Sequence, residues 1–275
     1  MIAGSLDLSA SAEVLRPLAL VTGGSSGIGF ELAKALAVAG YDLVIAADNE
    51  EKLARAAADL AQMPEAPHVQ AITVDLSTDA GVRALYDSVK RSGRPIDVLA
   101  ANAGIGVAGD FARQTDLESE LTLIRLNVMS PVHLTKLVLK DMVARGEGKI
   151  LITSSLAAMT PGPYEAVYAA SKAFLRSFGQ AIRAELEDTD ITVTVLMPGP
   201  TETDFFERAQ MRDTKAGKGP KQSAAEVAAA AIRALEEGED SVVPGILNKL
   251  QAGVNKLIPD KAGAKMQSAQ TRPRH

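Results

Sequence analysis

The sequence contains no cysteine, which excludes disulfide bonds and thiolate metal sites and is typical of a protein from a reducing compartment. Its three histidines, His68, His133 and His275, are scattered, so we predict no metal site. No apolar run approaches the roughly 18 residues needed to cross a bilayer. Residues 1–13 also lack the basic start and the continuous apolar stretch of a secretion signal. These absences predict a cytoplasmic protein without a membrane span.

A basic excess is also missing. The formal net charge is −5, which argues against nucleic acid as a main partner. Apolar residues make up 47% of the 275 residues, enough to build a sizeable core. A chain of this length and composition can form one large α/β domain or two small ones.

Short apolar strands alternate with helical patterns along most of the chain. Strands are predicted at 18–21, 42–46, 69–74, 97–101, 149–153, 192–196 and 241–243. Helices are predicted at 28–38, 49–63, 79–92, 117–145 (bent at Pro131), 164–188 and 224–236. Apolar strands that alternate with helices form a parallel sheet covered on both faces. Seven of them in an unbroken run predict one doubly wound α/β domain, a Rossmann fold.

The domain organisation follows from this pattern. Residues 1–16 form a polar tail, and residues 17–248 form the single domain. Within that domain, the long irregular segment 198–222 is predicted to be a mobile substrate lid. Residues 249–275 form a basic extension with six Lys or Arg and one acidic residue. This extension could cover the cleft, contact another subunit or lie on an anionic membrane; packing against the chain itself or a second subunit is favoured.

A glycine-rich turn joins the first strand to the first helix. Its glycines, Gly23, Gly27 and Gly29, have the spacing Gly-x-x-x-Gly-x-Gly rather than the commoner Gly-x-Gly-x-x-Gly. Backbone N–H groups of such a turn, together with the helix N-terminus, can bind a pyrophosphate. A plain tight turn is the alternative, but the strand–turn–helix context favours a dinucleotide site.

Asp48 follows Gly29 by 19 residues, at the end of the second strand, where the adenosine ribose of a bound dinucleotide lies. A carboxylate there accepts hydrogen bonds from ribose hydroxyls and repels a 2′-phosphate. No Lys or Arg stands beside Asp48 or in the glycine turn. The sequence therefore predicts NAD rather than NADP. Asp48 could also cap the following helix.

Tyr168 and Lys172 are four residues apart, so they share one face of the predicted helix. An ammonium beside a phenol favours the phenolate, which predicts a Tyr168 pKa below its ordinary value of about 10. Such a phenol can transfer protons at working pH. The alternative is a tyrosine at the edge of the core followed by a surface lysine.

With the glycine turn, Asn102-Ala103-Gly104 and Tyr168-x-x-x-Lys172 in this order, the chain resembles the short-chain dehydrogenase/reductase family. The resemblance extends from about residue 18 to residue 243 and is to the single-domain branch. It implies an NAD(P)-dependent oxidoreductase that interconverts a carbonyl and a secondary alcohol. It also implies a homo-oligomer, a dimer or tetramer, formed through the helices that contain Asn127 and Tyr168.

The resemblance further implies a catalytic set of Asn127, Ser155, Tyr168 and Lys172. Tyr168 is the acid/base, Ser155 hydrogen-bonds the substrate oxygen in preference to its neighbour Ser154, and Lys172 also holds the nicotinamide ribose. Asn127 holds a water of a proton relay. The complete set of expected cofactor contacts is Gly23, Ser25, Ser26, Gly27, Ile28, Gly29, Asp48, Asp75, Leu76, Asn102, Ala103, Gly104, Tyr168, Lys172, Pro198, Gly199, Thr201 and Thr203.

Two positions depart from the family pattern. Ala101 stands where the family often has a second asparagine, and we expect little effect from this change. Ala47 stands where NAD-selecting members usually have aspartate, and Asp48 where NADP-preferring members often carry arginine. The second departure weakens the NAD assignment without favouring NADP.

Candidate substrate contacts are mostly apolar, which predicts an uncharged, partly lipophilic carbonyl compound or alcohol. They are Ile105, Val107, Leu156, Met159, Tyr164, Phe205 and Phe206, and ordinary packing is the alternative for several of them. Two other functions stay open: a sensor or scaffold that binds a dinucleotide without catalysis, and an isomerase or dehydratase with bound cofactor. The complete catalytic set argues against the first, because a retired enzyme has no chemical need for all four residues.

Overall fold

The computed structural model describes residues 15–209, 211, 213–255 and 259–272. Nearly all of the predicted tail, residues 1–14, lies outside the described residues. The described residues form a seven-stranded parallel sheet in the order β3-β2-β1-β4-β5-β6-β7. Its strands are β1 (Leu18–Thr22), β2 (Asp42–Ala47), β3 (Val69–Thr73), β4 (Val98–Ala101), β5 (Glu147–Thr153), β6 (Asp190–Leu196) and β7 (Ser241–Val242). The predicted doubly wound α/β fold is confirmed.

The helices described in the structure are α1 (Gly27–Val38), α2 (Glu50–Ala61), α3 (Asp79–Arg91), α4 (Leu117–Ile124), α5 (Ser130–Arg145), α6 (Ala166–Glu185), α7 (Phe205–Arg208), α8 (Lys215–Lys218), α9 (Ala224–Glu236), α10 (Ile246–Asn255) and α11 (Asp260–Thr271). None of the helices in this part of the chain combines the length and apolar character needed to cross a bilayer.

Both faces of the sheet are buried because each strand is apolar on both sides. In β1, Ala19 and Val21 pack with α1, α2 and α9, whereas Leu18 and Leu20 pack with α3, α5 and α6. Successive side chains of a strand point to opposite faces, so one five-residue strand contributes to both layers of the core.

The strand order reverses at β1, which pairs with β2 on one side and with β4 on the other. Loops that leave the carboxyl ends of β1 and β4 therefore run to opposite faces of the sheet and open a crevice between them. In open α/β sheets, ligands bind in that crevice. The glycine turn after β1 and the Asn102 loop after β4 both lie there.

The predicted single helix at 117–145 consists of three parts. Between α4 and α5, a π-helical turn at Arg125–Met129 interrupts the α-helical pattern. The Ser130 N–H donates to the Arg125 carbonyl, five residues back. Pro131 has no N–H and cannot make the usual bond to the carbonyl of Asn127, so the wider π turn forms directly before it.

The helix predicted at 164–188 begins later, at Ala166. Tyr164 has a φ of 65°, in the left-handed region, which is incompatible with a right-handed helix. Alternation of apolar residues also gave no indication of α7, α8 and α11, which are short or polar helices beyond β6.

Candidate active site

A cleft of about 370 Å³ lies at the carboxyl ends of the strands, a volume typical of small-molecule sites. Its walls come from the turns after β1, β2, β3, β4 and β5, from α6, from the 198–211 region and from α11. All the residues predicted to contact the cofactor line this cleft. They stay predictions as individual contacts, but the fold brings them together.

The glycine turn is shaped to accept a phosphate. Gly23 and Gly27 have φ angles of 69° and 55°, and a Cβ at Gly29 would lie 2.1 Å from the Gly23 carbonyl oxygen. Ser26, the residue before α1, makes no side-chain cap bond. The first N–H groups of α1 are therefore not used by that side chain, and the turn fits the pyrophosphate of a dinucleotide.

Asn102 ties three strands together beneath the cleft. Its backbone N–H donates to the Thr22 hydroxyl at 3.0 Å, and its Nδ2 donates to the Thr22 carbonyl at 3.1 Å. The Thr153 hydroxyl donates to its Oδ1 at 3.2 Å. Asn102 thus positions the ends of β1, β4 and β5 relative to one another.

At the adenosine end of the cleft, Asp48 is exposed and follows the buried Ala47. The alternative role of Asp48 as a helix cap is wrong, because Asn49 caps α2 and its side chain accepts from the Lys52 N–H at 2.9 Å. Arg208 of α7 also lines the cleft, a cation that the sequence analysis did not identify.

Tyr168 and Ser155 both line the cleft, with the Ser155 hydroxyl close enough to act on the pKa of the Tyr168 phenol. Ser155 lies directly before a 3₁₀ turn, Leu156–Met159, and its Oγ accepts from the Ala157 N–H at 3.1 Å. The neighbouring Ser154 is buried and donates to the Lys172 carbonyl at 2.7 Å. Ser154 is thereby committed to the backbone of α6, whereas Ser155 faces Tyr168.

Lys172 is buried beside Tyr168, and no carboxylate of the described residues forms an ion pair with it. Its Nζ donates to the Thr153 carbonyl at 3.0 Å and lies 5.8 Å from the centre of the Tyr168 ring. Burial penalises the ammonium and lowers the pKa of Lys172 to about 8.

The pKa of Tyr168 is raised, contrary to the prediction. Burial is the main cause, the nearby Glu165 carboxyl adds to it, and the hydrogen bond from Ser155 acts in the opposite direction. The neighbouring Lys172 does not overcome the loss of solvation that a buried phenolate suffers. At neutral pH Tyr168 is therefore protonated in this structure.

Asn127 lies fully buried behind the cleft. Its Oδ1 accepts from the Ile105 N–H at 2.9 Å, and its Nδ2 donates to the Ile105 carbonyl at 2.8 Å. A Cβ on Gly104 would meet Asn127 Oδ1 at 3.0 Å and Lys172 Nζ at 3.4 Å. Asn127 and Lys172 thus both crowd the position that a side chain at residue 104 would occupy.

The predicted substrate contacts divide into two groups. Ile105, Leu156, Phe205 and Phe206 line the cleft, and the Phe205 ring lies 5.3 Å from the Tyr168 ring. The cleft lining does not include Val107, Met159 or Tyr164. The left-handed backbone at Tyr164 directs the chain so that the next residue, Glu165, lines the cleft instead.

Sequence reasoning missed Glu165 and two glutamines of α11, Gln267 and Gln270, which also line the cleft. Glu165 is 6% exposed, and burial raises its pKa to about 7 against a hydrogen bond from Gln267. A local sequence pattern cannot indicate that Glu165 and Gln267, about a hundred positions apart, line the same cleft. From the sequence alone, Glu165 would be placed on the solvent-facing side of the predicted helix that contains Tyr168.

Comparison with known proteins agrees with this geometry. Residues 17–214 match the family model described as short chain dehydrogenase. The chain is 32% identical over 189 residues to Sulfoacetaldehyde reductase 2 of Chromohalobacter salexigens, covering 68% of this chain and 74% of that protein. It is 30% identical over 244 residues to the uncharacterized oxidoreductase DltE of Bacillus subtilis, covering 87% and 94%.

Among solved structures, a short-chain dehydrogenase from Sphingobium yanoikuyae in complex with NADPH superimposes with a TM-score of 0.77. The two chains are 29% identical, over 88% of this chain and 96% of that one. The fold and the cleft define a dinucleotide-binding α/β oxidoreductase. The chain belongs to the short-chain dehydrogenase/reductase family, whose members use NAD(P).

Proposed function

We propose that this protein reduces the carbonyl group of a small, uncharged substrate to a secondary alcohol, with Tyr168 as the proton donor. The observation that carries the proposal is the meeting of Ser155 and Tyr168 in one cleft, with Lys172 buried beside the Tyr168 ring. The reaction is reversible, so the same residues serve alcohol oxidation at higher pH.

The dinucleotide supplies the hydride acceptor or donor at its nicotinamide ring. Gly23, Gly27 and the N-terminus of α1 would hold its pyrophosphate, and Asp48 would accept from the adenosine ribose. Lys172 would hold the second ribose. The 198–222 segment, with Thr203 within contact distance of the glycine turn, would serve as the lid.

Tyr168 donates its phenolic proton to the substrate oxygen as that oxygen gains negative charge. The raised pKa supports this role, because it keeps the phenol protonated at neutral pH. Ser155 donates a hydrogen bond to the same oxygen and stabilises the developing charge, as in an oxyanion hole. Phe205 excludes water from one side of the Tyr168 ring.

Lys172 returns a proton toward Tyr168 through solvent. Its lowered pKa, about 8, makes proton exchange possible near neutral pH. We propose that the backbone carbonyl of Asn127 holds the connecting water, since Pro131 cannot supply the usual helical N–H to it. The Asn127 side chain is already occupied by Ile105.

NAD is the proposed cofactor, with NADP less favoured. The exposed carboxylate of Asp48 supports NAD, because it would repel a 2′-phosphate. Two observations favour NADP instead: Arg208 lines the cleft, and the relative from Sphingobium yanoikuyae was solved with NADPH.

A homo-oligomer is proposed through α4, α5 and α6. Large apolar side chains are exposed on these helices and on the π turn between them, at Leu117, Ile124, Met129, Val143 and Phe174. Such a patch on a single chain is typical of a protein–protein interface.

The direct test follows absorbance of NADH and NADPH over a panel of ketones and aldehydes, preceded by thermal shifts with the four nucleotides. Turnover with one of the reduced nucleotides is expected. Tight nucleotide binding without turnover of any substrate would instead favour a sensor or scaffold role. A product of unchanged oxidation state would favour an isomerase or dehydratase.

A further inference from the structure

Glu165 is a buried acidic side chain in the lining of the cleft. It lines the cleft together with Ile105, Leu156 and Phe205. It directly precedes α6 but forms no helix-capping bond with its side chain. Tyr168 lies one turn further along, close enough for the two groups to influence each other electrostatically. The proposed chemistry assigns Glu165 no task.

Gln267, near the far end of the chain, lines the same cleft and lies close enough to Glu165 to act on the pKa of its carboxyl. It lies on α11. Gln270, about one turn further along the same helix, also lines the cleft. Within the described part of the chain, no cation pairs with Glu165. Its partner is a neutral amide, which can both donate and accept hydrogen bonds.

Specific hydrogen bonds hold α11 and the loop that contains Glu165 in place. The Thr271 hydroxyl, fully buried, donates to the Pro163 carbonyl at 2.7 Å. The Gly109 N–H donates to the Tyr164 carbonyl at 2.8 Å. These bonds hold the left-handed conformation of Tyr164, and a residue in this conformation persists only where its surroundings over-determine it.

We propose that Glu165 and Gln267 form a substrate-selecting pair that binds a neutral hydroxyl group of a hydroxylated ketone, while Ser155 and Tyr168 engage the carbonyl. This inference rests on the proposed oxidoreductase function. A hydroxyl suits the pair because it can donate to the carboxyl and accept from the amide, or the reverse. A cationic group fits less well, since burial already disfavours the charged carboxylate that it would need.

The pair also gives the C-terminal extension a role in specificity. Without α11, Glu165 would lack its amide partner and the cleft would be open at the substrate end. A substrate without a hydroxyl would leave two buried polar groups poorly satisfied, which is how a binding site discriminates against a deoxy analogue.

The test measures kcat/KM for butanone and for its α-hydroxy and β-hydroxy derivatives. For the unsubstituted protein we expect at least one hydroxyketone to exceed butanone by about tenfold or more. Glu165→Met and Gln267→Met, which keep side-chain length without strong hydrogen bonding, should each bring this ratio close to one. Glu165→Gln should restore part of it, and Lys265→Met on the exposed side of α11 should leave it unchanged.

Three results would contradict the proposed role of Glu165 and Gln267. They are a preference for butanone in the unsubstituted protein, a hydroxyketone-to-butanone ratio of kcat/KM that the Met variants leave unchanged, and a stronger preference for the matching aminoketone. If Glu165→Met does not fold, the half-buried Gln267→Met variant decides. If the protein binds nucleotide but reduces no ketone, the proposed reaction fails and the pair is judged by binding alone. Saturation-transfer NMR with butanol and butanediol then applies, and equal binding of the two would refute the inference.

Discussion

Asn127 and Ile105 are joined by two hydrogen bonds, one in each direction, between the side-chain amide of Asn127 and the backbone of Ile105. The π turn of the long helix thereby fixes the loop that follows β4. That loop carries the cleft-lining residues from Asn102 to Ile105. The hydrogen bonds of this buried helical amide therefore help to determine the shape of the substrate cleft.

Replacement Asn127→Ala should destabilise the fold by about 2 kcal/mol, because it leaves buried backbone groups of Ile105 without partners. Thermal or urea unfolding measures this loss. Ser171→Ala is the control, since it removes the longer 3.3 Å contact with the Asn127 amide and the Ser171 bond to the Tyr168 carbonyl but leaves both bonds to Ile105 in place. Equal stability of Asn127→Ala and the unsubstituted protein would show that the clamp is not needed.

Replacement Tyr168→Phe should lower kcat by roughly 10²- to 10⁴-fold, the usual contribution of a general acid. The phenyl ring keeps its contact with Phe205, so the dissociation constant of the nucleotide should change by less than about threefold. Fluorescence titration with reduced nucleotide checks the binding. Tyr164→Phe, outside the cleft lining, is the matched control and should keep its activity; comparable activity of both variants would refute the assignment of the proton donor.

Replacement Asp48→Ser should raise the affinity for NADP by about tenfold relative to NAD, because a repulsive charge beside the 2′-phosphate is removed. Isothermal titration with both nucleotides gives the ratio. Glu50→Ser, an exposed acidic residue at the start of α2, controls for general charge. If the unsubstituted protein already binds NADP more tightly, Asp48 does not select the cofactor and Arg208 becomes the next residue to replace.

The stability of the protein should fall as pH rises from about 4.5 to about 7. Burial raises the folded-state pKa of Glu165 from its ordinary 4.5 to about 7, so the folded state binds more protons than the unfolded state in this window. The loss attributable to Glu165 reaches about 3 kcal/mol at most. Urea unfolding at several pH values should show that Glu165→Gln lacks this component of the slope.

A matched exposed variant, Glu187→Gln, should keep the full slope. An identical pH dependence of Glu165→Gln and the unsubstituted protein would mean that the Glu165 carboxyl titrates normally.

Much of the site could be predicted from the sequence because its motifs are local. The glycine turn and the Tyr168–Lys172 pair each lie within one element and its adjoining loop. The alternation of strands and helices then places the ends of β1 and β4 side by side. Asn102 and Ser155 came from the resemblance to the short-chain dehydrogenase/reductase family, because position after a strand does not by itself distinguish Ser155 from Ser154.

The tertiary structure decided what depends on distant contacts. The Tyr168 pKa prediction was wrong because spacing reveals the neighbour, Lys172, but not the burial that shifts both groups. The cap of α2 proved to be Asn49, a choice between adjacent polar residues that only the backbone angles settle.

The sequence by itself determined the family, the sheet and the candidate chemistry, because strand burial, turn geometry and helix spacing are properties of short segments. Only the tertiary structure decided the surroundings of the reacting groups. It placed Gln267 of α11 against Glu165, and Asn127 against Ile105. The physical reason is that desolvation and hydrogen bonding depend on which groups meet in space, and these partners meet only after the sheet has brought remote segments together.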